Sequence, residues 1–195
     1  MAKFLGFSTL GMDLENSHDL REKVANECKR EKMGYIFRVN MNDFKRMKAL
    51  KEDRAIFVAR NVDEARSYKV PFYVLEAGKE ISEVLEVKEF CARRSNVNFA
   101  VEFDFAFMRL YDQFSFANYM KGLTRLMNVC RRRHITAIFS SRAKNHNELV
   151  SPRILYSFYK ILNGNLTRRD VLYNIPNREI VERLDLGPKI FGGSE

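Results

Sequence analysis

The chain has 195 residues, a net charge of +9 and an isoelectric point near 9.5, with 46% apolar and 12% aromatic residues. That length suits one domain with a real core, and that composition excludes a disordered chain. No apolar run reaches the ~18 residues of a membrane span and no signal-peptide pattern opens the chain, so a soluble, intracellular protein without a membrane partner is expected.

Taken in order, FLGFSTL (4–10) predicts a first strand. Ser17 is positioned to cap a helix with Leu20, Val24 and Cys28 on one side, and Gly34 to end it. YIFRV (35–39) predicts the second strand, DFKRMKALKED a polar helix or turn, and AIFVA (55–59) the third strand with a short connection behind it. Pro71 starts a fourth strand, FYVLE (72–76). Ile81, Val84, Leu85, Lys88, Cys91 and Ala92 then follow helical spacing, and VNFAVEF (97–103) predicts the fifth strand.

The clearest helix comes next. Ser115 is the expected N-cap, and Phe116, Tyr119, Met120, Leu123, Leu126, Met127 and Cys130 form its burying face. At 100° per residue, Lys121, Arg125, Asn128 and Arg132 fall on the opposite face as a basic stripe. ITAIF (135–139) predicts a sixth strand. Ser151 and Pro152 make an N-cap and first-turn pair for a helix whose core side is Ile154, Leu155, Phe158, Ile161 and Leu162, closed by Gly164. Two short helices are expected between Thr167 and Asp185. The domain is thus expected to cover 1–186, with 187–195 a loose tail.

Alternating strands and helices imply parallel strands, because parallel neighbours need crossovers. Strands apolar nearly throughout fit a sheet covered on both faces. No G-x-G-x-x-G follows the first strand and no phosphate-binding G-x-x-x-x-G-K-[ST] occurs. Six or seven strands fall short of the eight of a full barrel. The expected fold is therefore α/β, a shortened or irregular TIM-barrel-like (β/α) barrel with mostly parallel strands.

The charge is one-sided. Residues 1–112 hold 20 basic and 19 acidic side chains, whereas 113–195 hold 14 and 6. Within 121–169, 11 Lys or Arg face only Glu148. Such a field favours a polyanion, most often nucleic acid. Candidate phosphate contacts are Lys121, Arg125, Arg131, Arg132 and Arg133 on the basic helix, and Ser140, Ser141, Arg142 and Lys144 after the sixth strand. Arg153 in the next helix's first turn, and Arg168 and Arg169 beyond it, complete the set. No RNA recognition motif or zinc finger is present, so reading of RNA shape and backbone is expected.

Other chemistries compete less well. Asp13, Glu76, Glu102 and Asp104 fall at strand ends, where a barrel carries its active site, and can serve as acid, base or metal ligands. Pairing with the many arginines is the favoured reading. His18, His134 and His146 are separated and lack an H-x-H spacing, so no metal is expected on this chain. Ser140 or Ser141 with His146 lacks the G-x-S-x-G elbow that exposes a nucleophile. Cys28, Cys91 and Cys130, odd in number and far apart, are expected to be buried thiols.

Several motifs in order resemble the ribonuclease P protein component 3 family, the archaeal relative of the thirty-kilodalton protein subunit of nuclear ribonuclease P. Glu102-Phe103-Asp104-Phe105-Ala106 is similar to the family's E-[IF]-S-[YF]-[AS] strand. The long helix at 115–132 follows it. Phe139-Ser140-Ser141-Arg142-Ala143 is similar to its Ser-Ser strand end, and Pro152 and the closing helices at 167–185 fall where the family has theirs. The resemblance covers a little under half the chain.

That resemblance implies a non-catalytic subunit of the endoribonuclease that removes the 5′ leader from precursor tRNA. It implies that cleavage, with its magnesium, belongs to the RNA subunit, so no cofactor is expected on this chain. Expected partners are the ribonuclease P RNA, precursor tRNA through the holoenzyme, and protein component 2. The expected location is archaeal cytoplasm, or the nucleus for a eukaryotic source. Three departures stand out. The stretch between the fourth strand and Val97 is short by about one strand–helix unit, Val150 stands where the family often has arginine, and Asp104 replaces the usual serine. The rival expectation is an autonomous metal-dependent barrel phosphoesterase using the rim carboxylates.

Overall fold

The computed structural model describes residues 9–13, 18–32, 34–40, 55–67, 70, 72–94, 98–106, 112–143 and 148–163. Its elements are β1 (Thr9–Asp13), α1 (His18–Arg30), β2 (Gly34–Asn40), β3 (Ala55–Ala59), α2 (Val62–Ser67), β4 (Tyr73–Glu76), α3 (Ile81–Arg93), β5 (Phe99–Asp104), α4 (Gln113–Arg132), β6 (Thr136–Ser140) and α5 (Pro152–Asn163). All six strands are parallel and stand in chain order, each paired with the next. The sheet curls into a half-barrel, the shortened α/β barrel expected from the strand pattern. β4 and β5 are direct neighbours joined by α3 alone, so the short stretch before Val97 leaves no gap in the sheet.

Strand alternation sorts the core into two layers. Phe37, Val39, Phe57, Ala59, Tyr73, Leu75, Phe99, Val101 and Phe103 point outward under the helices. They meet Val84, Val87, Phe90 and Cys91 of α3, and Tyr119, Leu123, Leu126, Met127 and Cys130 of α4. Ile36, Ile56, Val58, Phe72, Val74 and Ala100 pack as a separate cluster on the inner face. Both faces are covered, which is why AIFVA reads as a continuous apolar run and is buried at every position.

Two glycines let the helices close on this sheet. Gly78 has φ +102°, and a Cβ there would stand 2.6 Å from the Glu83 Cβ. Its carbonyl accepts a buried 2.8 Å hydrogen bond from the Tyr119 hydroxyl, tying the start of α3 to α4. At Gly122 a Cβ would meet Val84 Cγ1 at 3.3 Å, so α4 approaches α3 closely there.

The structure corrects several expectations. The first strand is described over 9–13 and so runs past the expected end at 10, while 4–8 lie outside the described residues. Gly34 opens β2; α1 ends at Arg30 and turns through Lys32, φ +53°. Asp112, not Ser115, caps α4, because its carboxylate accepts from the Phe114 and Ser115 amides at 2.9 Å each. Ser115 donates its hydroxyl to the same carboxylate at 2.8 Å. These bonds, Ser115's first, hold the Asp112 pKa below its ordinary value. Ile154 and Ile161 are 49% and 70% exposed, and Phe116 is exposed too. On α5 Leu155, Phe158, Tyr159 and Leu162 are buried in the core and Tyr156 packs partly against it. The segment 43–53, the closing helices and the tail lie outside the described residues. No described helix is long and apolar enough to cross a membrane. The three cysteines are buried and free.

Candidate functional site: two ends of a half-barrel

The inner face changes character along the strands. Its first half is the apolar cluster above, and its second half is charged. Arg38 of β2, Glu76 of β4, Glu102 and Asp104 of β5 and Ser140 of β6 share the inward parity of Ile36, Val74, Ala100 and Ile138. Arg142, just past β6 with φ +40°, turns back toward them.

Each carboxylate meets a guanidinium. Arg38 donates through Nη1 to Glu102 Oε1 and places Nη2 3.8 Å from Glu76 Oε1. Arg142 donates through Nη1 to Glu76 Oε1, with Nε 3.5 Å from Asp104 Oδ2. Asp104 Oδ1 accepts the Ala106 amide at 2.7 Å. Asp13 pairs with Arg38 in the backbone register, at the same end of the sheet.

Burial and charge oppose each other in these groups. Desolvation raises Glu76, and the Arg142 charge offsets this only in part. Asp104 is pushed up to about 6, by desolvation first, with the Ala106 hydrogen bond opposing it and Glu102 adding to it. At Glu102, 1% exposed, desolvation is again the largest influence, but the charge and hydrogen bond of Arg38, with Ser140 and Arg142, together outweigh it and the net shift is downward. Ser140 lies beside Glu102 and helps lower it, yet Ser140 Oγ and Glu102 Oε2 are both buried without a completed hydrogen bond.

In this network guanidinium charge meets carboxylate charge, while Glu102 Oε2, Asp104 Oδ2 and Ser140 Oγ stay buried without a hydrogen-bond partner. A general acid–base pair or metal site needs carboxylate oxygens open to a substrate or cation. Here three of the four predicted rim carboxylates are committed to arginine. Among the described residues, no group of three or more His, Cys, Asp or Glu side chains is arranged to hold a metal ion. For Glu76, Glu102 and Asp104 the favoured reading, pairing with arginines, is what the structure contains. Arg38 was not among the candidate residues. Its signal was present: a lone arginine inside an apolar strand, on the face that later carries Glu102 and Asp104.

The predicted phosphate contacts divide between two ends of the molecule. Lys121, Arg125 and Arg132 are exposed along α4, as the helical wheel required. Arg131, Arg132 and Arg133 close that helix at the end of the sheet where strands begin. Ser140, Ser141 and Arg142 are at the opposite end, half-buried, with Arg142 engaged by Glu76 and Asp104. Arg153 is exposed in the first turn of α5 at that same end. Lys144, His146, Arg168 and Arg169 lie outside the described residues. Val150, the position where arginine was expected, is buried.

No protein-family model matches the chain, and no curated protein matches it in sequence. Among solved structures, the fold is similar to a chain in the cryo-EM structure of archaeal ribonuclease P with mature tRNA. The TM-score is 0.63 at 13% identity, covering 94% of this chain and 84% of the other.

Proposed function

We propose that this chain is a non-catalytic protein subunit of ribonuclease P, of the component 3 type. The observation that carries the reading is the shared fold over 94% of the chain with a chain of an archaeal ribonuclease P complex. The motif order from Glu102 to Pro152 and the basic excess of 113–195 point the same way. In this reading the protein binds the ribonuclease P RNA through its phosphate backbone and supports it during removal of 5′ leaders from precursor tRNA. Magnesium and bond cleavage belong to the RNA, component 2 is the protein partner, and the site of action is archaeal cytoplasm. The phosphoesterase alternative draws no support, because Glu76, Glu102 and Asp104 are held by Arg38 and Arg142.

The test is a pull-down of the tagged full chain from its own cells, with sequencing of bound RNA and identification of bound protein. The expected result is one structured RNA, the ribonuclease P RNA, together with a second small protein. Recovery of no RNA sinks the reading.

A further inference from the structure

The helices of a parallel α/β sheet all end where the next strand begins, so their last turns gather at one end of the molecule. Here those turns are basic throughout: Lys29 and Arg30 in α1, Arg66 in α2, Arg93 in α3, Arg131 and Arg132 in α4, and Lys160 in α5. Complementing the helix dipole accounts for one cation per helix end. It does not account for what α2, α3 and α4 do together. Their ends carry Arg66, Arg93, Arg94, Arg131, Arg132 and Arg133, six arginines and no lysine.

These arginines are contiguous in space. The Arg94 guanidinium lies 4.5 Å from the Phe90 ring centroid and that of Arg66 lies 6.0 Å from the same ring. Arg133 donates to the Ala92 carbonyl at 2.5 Å, which joins the end of α4 to the end of α3. The floor beneath is fixed as well. Asn98 donates to the Val70 carbonyl at 3.2 Å, and its own carbonyl accepts from Tyr73, so the approaches to β4 and β5 are locked together. Phe90 packs on Phe99, which stacks on Tyr73.

Little negative charge stands against them. Arg66 pairs with Asp63 and Arg93 with Glu89, both at 3.4 Å and both exposed. Among the described residues, Arg94, Arg132 and Arg133 have no carboxylate partner, and all three are exposed. Guanidinium forks match phosphate oxygens in pairs and keep a flat face for stacking, which lysine lacks. An exposed arginine crown, three of whose six members have no carboxylate partner among the described residues, therefore suits a phosphate backbone better than it suits scattered carboxylates on a protein.

We propose that the strand-start end of the half-barrel, the arginine crown of α2, α3 and α4, is the face that docks the phosphate backbone of a structured RNA, rather than the strand-end rim with Arg142. The proposal rests on the ribonuclease P reading for the identity of that RNA. The assignment of the face rests on the crown alone. Arg66, Arg93 and Arg94 join Arg131, Arg132 and Arg133 in it although they belong to the charge-balanced part of the chain.

The experiment titrates the full chain against ribonuclease P RNA of the same cell, transcribed in vitro, over a salt series. Wild-type affinity falls steeply with salt. The pair Arg94→Gln with Arg132→Gln removes two charges and keeps polar side chains at both positions. Losing two contacts makes the log–log salt slope shallower by about 1.4–1.8 and weakens binding by roughly tenfold or more at about 0.1 M salt. The charge-matched pair Lys23→Gln with Arg60→Gln, exposed and outside the crown, binds within about twofold of wild type. The pair Arg94→Lys with Arg132→Lys retains the wild-type slope, which separates lost charge from a folding defect. The crown is overturned if the glutamine pair leaves the slope unchanged, or if the Lys23 and Arg60 pair weakens binding as much. Loss of a bound partner protein with RNA affinity intact also overturns it, by assigning the face to protein. A wild-type chain that binds no RNA at all instead marks the failure of the subunit reading.

Discussion

The two ends of this half-barrel use arginine in opposite ways. At the strand-end rim, Arg38 and Arg142 are drawn in among Glu76, Glu102 and Asp104, and the charge is spent inside the protein. At the strand-start end, Arg94, Arg132 and Arg133 stand exposed without carboxylate partners among the described residues. Burial is what separates the two. A buried charge must find a partner or be neutralised, whereas an exposed one is hydrated and stays available to a ligand. Net charge alone is therefore a poor guide to a binding face, because it counts both kinds equally.

The largest expected effect lies at the rim. Arg38→Ala leaves Glu102 buried beside an empty place, and breaking a buried pair in this way costs about 3–5 kcal/mol. Chemical denaturation measures it; a loss below about 1 kcal/mol would mean that Glu102 is not held as described. Next in size is a pH dependence from Asp104. Its folded pKa, about 6, lies above its unfolded value, so the folded state binds the extra proton. Stability should therefore fall as pH rises through roughly 4 to 6, by up to about 3 kcal/mol, and level off above. Glu102, lowered on folding, acts in the opposite sense and loses its contribution as pH falls toward its own folded value. Comparing denaturation midpoints of wild type and Asp104→Asn across that range isolates the first slope, which the variant should lack.

Smaller effects probe the frame and the crown. Tyr119→Phe strands the Gly78 carbonyl without its buried donor and should cost about 1–3 kcal/mol with an unchanged denaturant slope. Arg132→Gln should leave stability within about 0.5 kcal/mol, as an exposed substitution does. The same change should make the RNA salt slope shallower by about 0.7–0.9. A single variant that shifted both stability and slope would blur the contrast between the two ends.

Much of the frame was readable in the residues. AIFVA at 55–59 is β3 at the predicted bounds, because a five-residue apolar run fits a strand covered on both faces. The burying face of α4 follows its 3.6-residue period from Tyr119 to Cys130. Errors gathered where local signals compete. Ser115 is an acceptable N-cap, but Asp112 stands three residues earlier and accepts two amides that Ser115 would have left free. Ile154 and Ile161 satisfied the helical pattern of α5, yet both are exposed, because a 3.6-residue pattern marks a face without fixing how wide a stripe the fold covers.

The candidate site divides in the same way. Residue order along the chain was enough for the alternation of strands and helices, the parallel sheet it requires, the burial of the cysteines and the excess of positive charge after residue 113. These follow from periodicity and composition, which are properties of neighbours along the chain. Which charges cancel is settled by the folded arrangement instead. Arg38 and Glu102 are 64 residues apart, Arg142 and Glu76 are 66, and Arg133 reaches a carbonyl 41 residues away. Parallel crossovers carry all helix ends to one side and all strand ends to the other, and no local pattern records which arginines then find carboxylates and which are left facing solvent.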